Sequence, residues 1–117
     1  MIEEEPKRVK IEIYTSPTCP YCPAAIRMLQ KAIDIYGKDL EVTKIDITTP
    51  EGGELAAYYE VQATPTIVMN GIVKFRGDPP SESELYDEIE TFLEIDQIQT
   101  ASKKRKAQTR EIDMMYG

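Results

Sequence analysis

Residues 15–23 read TSPTCPYCP, and they hold both cysteines of the chain, Cys19 and Cys22, separated by Pro20 and Tyr21. Two thiols at this spacing can hold a metal, close a structural crosslink, or exchange a disulfide with another molecule. A bridge closing so short a loop constrains the unfolded chain little, and permanent disulfides are rare in a reducing cytoplasm. Histidine is absent. That excludes Ser-His-Asp and Cys-His nucleophilic catalysis and Cys₂His₂ zinc sites within one chain. A tetrahedral thiolate site would need two chains, each donating Cys19 and Cys22, and Pro20 and Pro23 stiffen a loop that usually wraps a metal through free backbone N–H groups. Dimeric metal or iron-sulfur binding stays as an alternative.

A chain of 117 residues is the size of one domain, and 41% hydrophobic with 30% charged residues is an ordinary globular composition. No apolar run approaches the roughly 18 residues of a membrane span, and MIEEEPKRVK lacks the apolar stretch of a signal peptide. The expected location is the cytoplasm, with no membrane contact. Residues 1–98 hold 9 basic and 19 acidic side chains, a balance of −10, whereas 99–117 hold 5 and 2, a balance of +3. The acidic body argues against nucleic acid as a partner. The run Lys103-Lys104-Arg105-Lys106 sits in a polar segment without a sustained apolar face. These features predict a domain over 1–98 and a disordered basic tail over 99–117.

Outward from the cysteines, the periodicity changes twice. Val9, Ile11 and Ile13 alternate with Lys10, Glu12 and Tyr14, which predicts a strand over about 8–14. Ala25, Leu29, Ala32, Ile33 and Tyr36 recur at helical spacing before Gly37, which predicts a helix over about 20–36. Leu40, Val42, Ile45 and Ile47 give a second strand, parallel to the first through a right-handed crossover. In TTPEGGELAAYYEV, Thr49 is a candidate cap for a helix with Pro50 at its first position and Glu51 nearby, but Gly52 and Gly53 argue for a frayed or later start, near 53, with the helix running to about 59. Strands at about 66–69 and 72–76 flank Asn70-Gly71, the strongest short signal for a tight hairpin. Ser81 and Glu84 form a capping box for a helix over about 82–96, whose face carries Leu85, Ile89, Phe92 and Leu93.

The order β-α-β-α-β-β-α, with Cys19-Pro20-Tyr21-Cys22 at the first strand-to-helix junction and Ala63-Thr64-Pro65 just before the third strand, resembles the thioredoxin and glutaredoxin superfamily. The resemblance covers about residues 8–96. It implies an α/β minimal thioredoxin fold, a four-stranded mixed sheet flanked by three helices, and thiol-disulfide oxidoreductase activity with no cofactor. It also implies that Pro65 is in the cis form and lies against the cysteine pair. An extended, disulfide-bearing protein substrate would then pair with the Thr64 backbone.

The chemistry follows from the thiols themselves. Thiolate is the attacking form, and a free thiol is only partly ionised at neutral pH. A helix N-terminus favours the anion through unpaired N–H groups and its partial positive charge, and Pro23 holds the helix start near Cys19. Cys19 is thus the expected nucleophile. Cys22, about one turn behind it, is the expected resolving thiol. Thr18, Pro20 and Tyr21 are candidate substrate contacts, each with a local reading as well: a cap, a helix start and an exposed ring. Glu12 in the first strand is either a proton acceptor for Cys22 or a cross-strand ion-pair partner of Lys44, the latter being favoured.

Two functional types divide the superfamily. CPYC is a glutaredoxin-type sequence, yet Ser16 occupies the position where many glutaredoxins carry a basic residue, and their Gly-Gly and Asp are reduced to Gly77 and Asp78 before Pro79 and Pro80. The tryptophan usual before the first cysteine of thioredoxins is Thr18 here. As a whole the chain resembles the small glutaredoxin-like thioredoxins of archaea. The expected activity is therefore dithiol reduction of protein disulfides by a monomer, supplied by a reductase or a low-molecular-weight thiol. Glutathione-dependent reduction is the alternative.

Overall fold

The computed structural model describes residues 8–104. Its four strands are β1 (Val9–Thr15), β2 (Leu40–Asp46), β3 (Thr66–Met69) and β4 (Ile72–Arg76), in the sheet order β2-β1-β3-β4. β1 runs parallel to β2 and antiparallel to β3, and β4 returns antiparallel to β3. The helices are α1 (Cys22–Tyr36), α2 (Pro50–Tyr58), α3 (Glu82–Glu90) and helical residues 95–104, called α4. This is the expected four-stranded mixed α/β fold with an additional helix.

Side-chain alternation along β1 separates two cores. Val9, Ile11 and Ile13 pack with Ala25, Leu29, Ala32 and Ile35 of α1, with Leu85 and Ile89 of α3, and with Ala101 of α4. On the other face Tyr14 and Val68 pack with Ala56 of α2, bordered by Ile45, Ile47, Tyr59 and Val61. Central β1 is therefore covered on both faces. The β3–β4 turn has the backbone that Asn-Gly supplies, with φ 49° at Asn70 and 80° at Gly71.

Three boundaries differ from the sequence expectation. Helix α2 begins at Pro50, not near 53, because Thr49 caps it, its hydroxyl accepting from the Gly52 N–H at 3.0 Å. Of the glycine pair that suggested a break, Gly52 serves packing instead: a Cβ there would lie 1.9 Å from the Asp46 carbonyl oxygen. The helix expected over 82–96 stops at Glu90. Its start is the expected capping box, the Ser81 hydroxyl accepting from the Glu84 N–H and donating to the Glu84 carboxylate, both at 3.1 Å. After Glu90, Phe92 and Leu93 donate to the carbonyls of Ile89 and Glu90, three residues back, and Thr91 Oγ1 donates to the Glu88 carbonyl at 2.6 Å. This tightened turn redirects the chain into α4, where the Glu94 N–H donates to Gln97 Oε1. Residues 99–104, expected to begin a disordered tail, are helical, and Ala101 is buried with Ile98 packed against the core. Two inward positions one turn apart suffice to dock a helix that lacks a long apolar stripe. Arg105, Lys106 and the rest of the expected tail lie outside the described residues.

Candidate active site

β1 ends at Thr15, and residues 16–21 cross the end of the sheet before α1 begins at Cys22. The Cys19 N–H donates to the Ser16 carbonyl at 3.2 Å, which closes a turn separate from the helix; the helical ladder then begins with the Ala25 N–H donating to the Tyr21 carbonyl. The helix accordingly starts two residues later than expected, with Tyr21 at its N-cap and Pro23 in its first turn. Cys19 precedes the first turn and does not belong to it. The two cysteines are joined in a disulfide with their Cα atoms 5.5 Å apart. Their exposure is unequal, since Cys22 is 4% exposed while Cys19 is half-buried beside exposed Thr18, Pro20 and Tyr21. No acidic side chain lies in the first turn of α1, so its positive end faces the disulfide unneutralised.

The sheet register places Thr64 and Pro65. Tyr14 pairs with Thr66, so Pro65 sits at the start of β3 beside the end of β1, where the cysteine loop begins. The Thr64–Pro65 peptide is cis. Pro65 is buried, and its carbonyl accepts from the Gly77 N–H at 2.8 Å, while the Thr66 hydroxyl donates to the Ala63 carbonyl at 2.6 Å. The loop of Cys19 is thus flanked by β3 on one side and β2 on the other.

On the β2 side a groove of about 370 Å³ has the disulfide in its wall, with Ser16, Pro17 and Ile26 beside it and Lys44 and Asp46 across from it. Thr18, Pro20, Tyr21, Thr64 and Pro65 are not among its lining residues. Lys44 and Asp46 are two apart on β2 and so share a face, the one on which Ile13 and Cys22 lie. The Asp46 carboxylate accepts from the Thr48 hydroxyl at 2.6 Å and from the Thr48 N–H at 2.9 Å, which holds its carboxyl below the usual range.

Both readings of Glu12 fail. The strand register sets Glu12 opposite Thr43 and Val68, and Lys44 opposite Ile13, so Glu12 and Lys44 point to different faces of the sheet. For the same reason Glu12 is on the wrong face to serve Cys22. Its carboxylate accepts from the Tyr14 hydroxyl at 3.0 Å, and Tyr14 stacks edge-on with Tyr59 at 5.9 Å. Burial first, and then the Glu12 carboxylate, push the Tyr14 phenol well above its ordinary value of 10.0. Of the groove residues, the sequence reading passes over Asp46 and names Lys44 only as a partner for Glu12. The available signal was their spacing of two at the end of the second strand, but assigning them to the cysteine face requires the parallel register.

The model of the thioredoxin domain matches residues 9–90. The chain belongs to the thioredoxin domain family. A probable thioredoxin of Methanothermobacter marburgensis is 45% identical over 86 residues, 74% of this chain and 98% of the relative. A thioredoxin of Methanocaldococcus jannaschii is 42% identical over 76 residues, 65% of this chain and 87% of the relative. Among solved structures, a single-substitution variant of thioredoxin from Halobacterium salinarum superposes with a TM-score of 0.62 at 25% identity, covering 76% of this chain and 78% of that one. With its cysteine pair joined at the junction of β1 and α1, this thioredoxin-domain protein is a thiol-disulfide oxidoreductase whose exchanging pair is Cys19 and Cys22. Among the described residues no helix is long and apolar enough to cross a membrane.

Proposed function

We propose that the protein reduces disulfides of other proteins in the cytoplasm by dithiol exchange, with Cys19 as nucleophile and Cys22 as resolving thiol. The observation that carries this reading is the unequal exposure of the two sulfur-bearing residues, Cys19 half-buried in an exposed loop and Cys22 4% exposed at the start of α1. In the reduced protein the Cys19 thiolate attacks a substrate disulfide, forming a Cys19–substrate bond and releasing one substrate thiolate. The Cys22 thiolate then attacks Cys19; the internal disulfide forms, and the second substrate thiolate leaves. Two electrons pass to the substrate. A reductase or a low-molecular-weight thiol restores the dithiol. An extended substrate strand passing the start of β3 meets the Thr64 backbone and Cys19 together, with Thr18, Pro20 and Tyr21 as the exposed contacts around the nucleophile.

The test is a trapping experiment. Cys22→Ser should accumulate a mixed disulfide with a protein substrate through position 19 and lose turnover, whereas Cys19→Ser should neither trap nor turn over. Trapping by Cys19→Ser would reverse the roles. Full turnover of Cys22→Ser with glutathione as sole reductant would assign the monothiol, glutathione-dependent mechanism instead.

A further inference from the structure

Helix α2 ends in a reversal whose shape is set from two directions. The Val61 N–H donates to the Ala56 carbonyl at 2.8 Å and the Glu60 N–H to the Ala57 carbonyl at 3.2 Å, the pair of bonds that closes a helix through a residue of left-handed backbone. That residue is Glu60, with φ 56°. Glycine is the usual occupant, because a Cβ makes this conformation unfavourable. A contact from another element offsets the cost: Arg76, the last residue of β4, donates from Nη1 to the Glu60 carbonyl at 3.0 Å. Arg76 pairs with Thr66 across the sheet, and Thr66 shares a face with Val68, which packs against α2, so the guanidinium reaches the end of that helix.

The next residue holds the far end of the loop. The Gly77 N–H donates to the Pro65 carbonyl at 2.8 Å, and a Cβ on Gly77, at φ 83°, would lie 3.3 Å from the Ala63 Cβ. Residues 76 and 77 therefore grip segment 60–65 at both ends. Thr64, within it, takes part in no hydrogen bond found among the described residues, so its backbone is placed through its neighbours.

We propose that Arg76 is a positioning residue for protein-disulfide exchange: its hold on the Glu60 carbonyl fixes the course of residues 60–65 and so sets the Thr64 backbone where a substrate strand pairs beside Cys19. Arg76 does not line the groove at the disulfide, and its charge plays no part. Small disulfides, which need no strand pairing, are indifferent to it. The inference rests on Thr64 being the pairing edge, and the test separates the two.

The substrates are a disulfide-linked peptide dimer, the same dimer methylated on the backbone nitrogens flanking its cysteine, and hydroxyethyl disulfide. The unsubstituted protein should prefer the unmethylated dimer. Arg76→Met should lower kcat/KM for that dimer about fivefold, which is about 1 kcal/mol and the size of one hydrogen bond. The methylated dimer and hydroxyethyl disulfide should stay within about twofold of their original rates. The loss should persist in about 1 M salt, where exposed charges are screened within about 3 Å. Equal turnover of both dimers by the unsubstituted protein would remove the Thr64 pairing, and the proposal with it. If the unsubstituted protein discriminates and Arg76→Met discriminates equally well, the pairing stands and the proposal falls. An equal loss on hydroxyethyl disulfide would mark a general structural defect, and a loss abolished by salt would mean that Arg76 attracts the substrate by charge; either result would overturn the proposal.

Discussion

Replacing Gly52 by alanine sets two effects of known size against each other where α2 meets the end of β2. Gly52 is inside α2, where alanine is intrinsically favoured by about 1 kcal/mol. Its Cβ, however, would lie 1.9 Å from the Asp46 carbonyl oxygen and 2.7 Å from Thr49 Oγ1. Neither neighbour can retreat freely. The Asp46 carbonyl accepts from the Thr49 N–H at 3.2 Å and from its hydroxyl at 2.8 Å, and that hydroxyl caps the helix by accepting from the Gly52 N–H. Overpacking against fixed atoms costs about 1–3 kcal/mol, and losing a threonine cap adds about 1 kcal/mol. The propensity gain offsets only part of this, leaving a net loss of about 1–3 kcal/mol. For a domain of this size that lowers Tm by at least about 4 °C. Gly53 is the internal control, because its Cβ would meet only the Ile47 carbonyl oxygen, at 3.4 Å, an ordinary contact. Gly53→Ala should therefore stabilise by about 0.5–1 kcal/mol. Urea and thermal unfolding of the oxidised protein measure both. A Gly52→Ala protein as stable as the original would refute the claim that α2 is seated directly on the turn carrying Asp46.

Removing the buried phenol and loading the last helix test the two cores separately. Tyr14→Phe should cost about 1–2 kcal/mol, because it leaves the partly buried Glu12 carboxylate short of a donor. The Tyr14 phenol is raised in the folded state, so its contribution is fully present below the ordinary value of 10.0 and is lost as pH climbs from there toward the folded value. Urea midpoints between about pH 9 and 11.5 should thus fall more steeply with Tyr14 than with Phe; parallel curves would remove the linkage. Ala101→Asp should destabilise by about 2–4 kcal/mol, because it puts a carboxylate where 2% of the residue is exposed. Denaturant unfolding within about 0.5 kcal/mol of the original would mean that α4 does not pack on the main core.

Much of the architecture was readable because each segment carried its own signal. The alternation of Val9, Ile11 and Ile13, the helical spacing from Ala25 to Tyr36, Asn70-Gly71 and the Ser81–Glu84 box each specify local geometry through neighbours a few residues away. The errors came where a residue type has two physical uses. Gly52 reads as a helix breaker in sequence, but it is small because a backbone carbonyl from another element occupies the space of its Cβ. Ala101 and Ile98 carried too little hydrophobicity to announce a helix, and they form one only because α1 and α3 offer a surface to cover. Thr91 ended α3 without the glycine or proline that marks a stop in sequence.

The cysteine pair, its proline-stiffened loop and its place between a strand and a helix are local properties, and the chain order alone determined them along with the thioredoxin-like topology. Tertiary structure decided which groups accompany the pair. Because side chains alternate across a strand, a one-residue difference in pairing sends a carboxylate to one face of the sheet or the other. The observed register sends Glu12 to Tyr14 beneath α2 and brings Lys44 and Asp46 to the groove beside Cys22. Register is set by how the buried faces of several elements fit together, and that fit is not written in any single segment.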